Sequence, residues 1–236
     1  MAVPNAQSSP MFVQDHSLLR TGILGGVGVC LLTVAYSIHR YPAIVSSPRT
    51  PTFLSLFLAG VLWYAFAAIR WTRVTTREDS AVLRHGGRWG VLIGLAWTVE
   101  VAGGNVIVPH EFGAAIGVLA VVAAAIMPVI AGATEAARTG QIRRGASVGF
   151  WSGAVSGVIT FIALAGVGYL VTSVPGFPGV EVPRNVVRAL TANELAGFNI
   201  GDYLAGGVSH LVIIGAPFCS AAGAFGGVMG RALRSE

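Results

Sequence analysis

The sequence predicts an all-α, polytopic membrane protein, a bundle of six transmembrane helices packed through glycine. Three observations carry this expectation. Hydrophobic residues make up 54% of the 236 positions and charged residues only 11%. Soluble domains carry about 25% charged residues, so this inventory cannot build a water-facing surface. Glycine occurs 32 times, well above its usual share of about 7%. Finally, six apolar segments approach the ~20 residues that a helix needs to cross about 30 Å of hydrocarbon while satisfying its own backbone. They divide the chain into a short leader, 1–17, a single transmembrane domain, 18–230, and a tail, 231–236.

The first segment, Leu18–Ile38, follows a leader that holds Asp15 and no basic residue, so it reads as a membrane helix and not as a cleaved signal. The second, Phe53–Ile69, is the shortest, and Trp63, Tyr64 and Trp71 read as aromatic anchors at the membrane surface. The third, Trp89–Val108, follows the pair Gly86-Gly87, which is expected to break any helix running through the preceding loop. The fourth, Phe112–Ala133, is reached through a short turn at His110 and Glu111 and contains Pro128. At its end Glu135 is expected to pair with Arg138 or Arg143 in water-accessible surroundings. The fifth is Val148–Val174. The sixth, Ile200–Gly230, is the longest; Thr191 and Glu194 have capping-box spacing, which starts a helix near Ala192, and Pro217 offers a kink. Two halves of three spans would suit an inverted pair, but Pro128 and Pro217 have no counterparts in spans one and three, and no residue-by-residue repeat is visible.

Arginine supplies all fifteen basic residues, and eleven of them fall on one side of this arrangement. Basic residues accumulate on the cytoplasmic side, so both termini are expected there; the absence of lysine suggests a GC-rich bacterial source, and hence a bacterial inner membrane. Five of the eleven, Arg70, Arg73, Arg77, Arg84 and Arg88, would fall within about 60° of one another on a continuous helix. Such a stripe would suit anionic lipid head groups. Its opposite face is too polar for a helix lying in the interface, and topology alone accounts for these arginines. The lipid bilayer is the expected partner, and nucleic acid is not.

Small residues recur at every fourth position: Gly145, Gly149, Gly153 and Gly157 in the fifth span, then Gly215, Cys219, Gly223 and Gly227 in the sixth. Lipid tails are as apolar as Leu, so helices associate in a bilayer by close packing, which this spacing favours. Spans five and six should therefore pack together within one chain. The alternative use of such faces is contact with a second copy or with a partner membrane protein.

Two ionisable side chains lie deep in the spans, Glu100 in the third and His210 in the sixth. A charge at the bilayer centre costs at least about 2.5–3.5 kcal/mol, so such residues turn inward, either as structural ties, with a protonated Glu100 donating to a neighbouring helix and His210 capping a carbonyl freed by a kink such as that at Pro217, or as a functional site. A pair of these two would form a polar point for substrate or proton. Asn105 lies about 140° around the helix from Glu100 and does not share its face. His110, Glu111 and Asp202 would form an outer mouth. No local zinc, phosphate-loop or nucleophile-elbow motif occurs, and Cys30 and Cys219 lie singly in apolar stretches. No enzyme activity, metal or cofactor is expected. The expected function is that of a small transporter or channel with a polar midplane site, the alternative being a non-transporting subunit held to partners or lipids by its glycine faces.

Overall fold

The computed structural model describes residues 11–46, 50–72, 77–103, 110–173 and 191–234, with backbone alone at 11–16, 77–78 and 110–111. The described residues are almost wholly helical, with no strand. In chain order the helices are α1 (Met11–Arg40), α2 (Thr50–Trp71), α3 (Arg77–Ala102), α4 (His110–Thr139), α5 (Ile142–Ser173), α6 (Ala192–Ser209) and α7 (Cys219–Arg234), with a short 3₁₀ turn at Pro42–Ser46 and a π-helical stretch at His210–Phe218 joining α6 to α7. α1 thus begins inside the expected leader, and α7 runs into the expected tail.

Local chemistry explains several boundaries. Thr191 accepts a hydrogen bond from the Glu194 N–H at 3.3 Å while the Glu194 carboxylate accepts the Thr191 N–H at 2.8 Å. This capping box starts α6 at the residue its spacing predicts. Pro51 falls in the first turn of α2, where a missing N–H costs nothing. Between α4 and α5 the chain reverses through Gly140, which has φ 74° and donates its N–H to the Ala136 carbonyl at 2.7 Å. Glycine alone adopts that conformation without a steric penalty.

Among the described residues five helical runs are long and apolar enough to cross a membrane: α1, α2, α4, α5 and the continuous run of 43 residues from Ala192 to Arg234. The third expected span is the exception. Its first part lies in α3, which begins at Arg77 and carries Arg84, His85, Arg88 and Glu100 along its length, and its last residues, 104–108, lie outside the described residues. The expected break at Gly86-Gly87 does not occur either. α3 continues through both residues because Gly86, Gly90 and Gly94, four apart, lie against α5. A β-carbon on Gly86 would stand 2.5 Å from Trp151 Cβ, one on Gly90 2.7 Å from the Ser152 carbonyl oxygen, and one on Gly94 2.9 Å from Ile159 Cβ. Helix-interior glycine costs about 1 kcal/mol relative to Ala, and close backbone packing offsets it here.

α5 is the centre of the bundle. In its most apolar stretch 56% of residues are buried, against 22% in α1 and α4. α3 covers one of its faces and α7 another. On the α7 side, a β-carbon at Gly145 would stand 2.9 Å from the Gly223 carbonyl oxygen, while one at Gly149 would strike the Cys219 carbonyl and one at Gly153 the Gly215 carbonyl. The opposite side of α7 meets α4, with Gly226 against the Val129 carbonyl and Gly230 against that of Ala133. The remaining faces of α5 receive the apolar stripes of α1 (Ile23, Val27, Cys30, Val34) and α2 (Phe57, Val61, Tyr64) together with Ile200 and Leu204 of α6. Trp63 and Trp71 are half-exposed, as surface anchors would be, but Tyr64 is only 2% exposed. Its expected place at the membrane surface is therefore wrong: it points into the core.

Candidate functional site at the interrupted last helix

The last membrane-crossing run is not one continuous α-helix. From His210 to Phe218 it widens to π-helical bonding, and Gly215 leaves helical geometry at φ −62°, ψ −113°. Pro217 has no N–H to bond, and its ring conflicts with the carbonyl four residues earlier. The predicted kink is present, and it extends over nine residues.

Tyr64, reaching across from α2, holds this stretch. Its hydroxyl donates to the Leu211 carbonyl at 2.6 Å and accepts the Ala216 N–H at 3.1 Å. Glycine makes room for it: a β-carbon would stand 3.3 Å from the tyrosine oxygen at Gly157 and 2.5 Å at Gly215. The Cys219 thiol donates to the Ile214 carbonyl at 3.4 Å. Backbone groups at membrane depth need partners from the protein itself, and two side chains supply them here.

His210 opens the interrupted stretch. Its half-buried ring stands edge-on to Trp97 of α3, with centroids 4.5 Å apart. Glu100, one turn further along α3 and also half-buried, lies toward α4, where a β-carbon on Gly117 would stand 3.9 Å from its Cγ. Among the described residues no hydrogen bond or ion pair joins Glu100 to His210. α3 thus brings a tryptophan to the histidine and turns the carboxyl group to the neighbouring helix boundary. Trp97 has no signal of its own in the sequence.

The other expected site residues are more scattered. Asn105 lies outside the described residues. His110 and Glu111 form the first turn of α4, and Asp202 is exposed on α6. Tyr203 beside it is buried against Gly168 of α5 and belongs to the core. Of the five arginines of the expected stripe, Arg70 lies in the last turn of α2 and Arg77, Arg84 and Arg88 on α3, with the non-helical Thr72 between the two helices; Arg73 lies outside the described residues. Arg70 joins Arg143 and Arg144 around a cleft of about 700 Å³, whereas Arg84 and Arg88 line a separate groove.

A second polar cluster stands at the arginine-rich end. The Glu135 carboxylate accepts from Arg138 at 2.9 Å and lies 3.1 Å from His85 Nδ1. The expected Arg138 partner is correct, but the expected water-accessible setting is not, since the Glu135 side chain is 0% exposed. The reason is the uninterrupted course of α3, which carries His85 to the last turns of α4. Removing this carboxylate from water requires partners that compensate its charge, and two helices supply them. Among the described residues no three His, Cys, Asp or Glu side chains gather as a metal site would require.

No known protein family, curated protein or solved structure matches this chain.

Proposed function

We propose that this protein is a small transporter or channel of a bacterial cell membrane, with both termini in the cytoplasm, in which Glu100 and His210 meet a proton or small cation near the midplane. The single observation that carries this reading is the interruption of the last membrane-crossing helix at His210–Phe218. Broken helices at depth mark substrate sites in many transporters, and π-helical insertions recur at functional sites. The end of α6 directs carbonyl dipoles toward the break, which favours positive charge. His210 stands at that end as a group able to take up and release a proton, and Glu100 supplies a carboxyl group on the adjoining helix. The arginine count supports the orientation. The alternative, a subunit held to partners by glycine faces, has less support, because Gly145, Gly149, Gly153, Gly223 and Gly227 are covered by helices of the same chain.

The test is flux. Protein reconstituted into liposomes with an internal pH-sensitive dye, and separately with sodium- and potassium-sensitive dyes, should dissipate one of the imposed gradients. Glu100→Gln and His210→Gln should each slow that flux by about tenfold or more while eluting from a sizing column as the parent protein does. Parent protein without flux of protons, sodium or potassium, or folded variants with unchanged flux, would refute the proposal.

A further inference from the structure

α1 and α3 both dock on α5, α1 through Gly26 against Val158 and α3 through Gly86, Gly90 and Gly94. Between them they leave a groove of about 460 Å³. Its surfaces are apolar, including Leu18 of α1, Val91 of α3, and Val158 and Ile159 of α5, except at Arg84 and Arg88. Among the described residues no acidic side chain lines it. The two arginines are one helical turn apart, so they share a face about 6 Å from each other, and both are exposed. Two glycines keep the groove open. A β-carbon on Gly22 would meet nothing within 4 Å, and one on Gly87 would press on Leu19 at 3.3 Å.

We propose that this groove binds an anionic phospholipid, its phosphate held by Arg84 and Arg88 and one acyl chain lying along the apolar floor toward Val91 and Ile159. Guanidinium groups present paired donors that match phosphate oxygens. A free phosphate would make no use of the apolar floor, and a peptide strand would bring unsatisfied backbone groups into it. An anionic lipid matches both parts of the groove. The proposal is independent of any transport activity.

The experiment is native mass spectrometry of the detergent-purified full chain, titrated with phosphatidylglycerol and with phosphatidylcholine of the same acyl chains, and with glycerol 3-phosphate as a soluble competitor. The parent protein should retain phosphatidylglycerol about tenfold better than phosphatidylcholine. The double substitution Arg84→Gln, Arg88→Gln should erase the preference and leave weak binding of both lipids. Gly22→Leu fills the groove and should abolish retention of both, whereas Gly166→Leu, at a glycine equally free of neighbours, should change neither. The proposal is overturned if the preference survives loss of both arginines, if Gly22→Leu retains lipid as the parent does, or if glycerol 3-phosphate alone displaces the lipid.

Discussion

Two side chains deep in the bundle, the Tyr64 hydroxyl and the Cys219 thiol, bond to backbone groups of the interrupted stretch. Tyr64→Phe removes two of those bonds while keeping the ring. Each buried group left unpaired costs about 1–3 kcal/mol, so Tyr64→Phe should lower the thermal unfolding midpoint in detergent. Tyr36→Phe, at a half-exposed tyrosine, should leave it unchanged. Equal stability of Tyr64→Phe and the parent would mean that other groups hold the stretch. This role was hidden in the sequence because Trp63 and Trp71 made Tyr64 look like part of an aromatic belt. Its phase says otherwise: Phe57, Val61, Tyr64 and Ala68 recur at helical spacing on the buried face, while Trp63 and Phe66 point outward. Glu100 and His210 were legible from their rarity in apolar stretches. Trp97 was not, since a tryptophan in a membrane helix carries no mark of which neighbour it will meet.

Among elements, the short-range signals were readable and those created by tertiary contact were not. The capping box at Thr191 and the kink at Pro217 depend on a few adjacent residues, and both are where the sequence places them. The fourfold glycine spacing in α5 and α7 also predicts their close packing. Gly86, Gly90 and Gly94 have the same spacing, but the pair Gly86-Gly87 reads as a helix breaker. Contact with α5 overrides that propensity, and the same continuity delivers His85 to Glu135. The glycine seams therefore have a measurable polarity. Gly223 is wedged between α4 and α5, where a β-carbon would stand 2.6 Å from the Gly145 carbonyl oxygen and 2.9 Å from Gly149 Cα. Gly223→Ala should destabilise by about 1–3 kcal/mol, the usual range for overpacking. Gly166→Ala, with open space around it, should instead stabilise by up to about 1 kcal/mol through helix propensity. Chemical or thermal unfolding in detergent separates the two; destabilisation of similar size at both positions would contradict the account.

At the scale of the whole molecule, few charges together with apolar runs of about 20 residues identify an all-α membrane bundle, because such runs suit helices that satisfy their own backbone in hydrocarbon. α3 joins this bundle through its glycine contact with α5. That helix also links two polar clusters, His85 with the buried Glu135 near its start and, further along, the His210–Trp97 contact with Glu100 one turn beyond. The central claim is that water or a hydrated ion reaches this second group. The most direct test places single cysteines at positions 100 and 210 in a Cys30→Ala, Cys219→Ala background and applies membrane-impermeant thiol reagents to each side of oriented vesicles. The account predicts that both positions react, each from at least one side, because the interrupted helix borders an aqueous path. Complete protection at both positions would show a dry, packed centre in which Glu100 and His210 serve only as ties between helices, and it would contradict the claim.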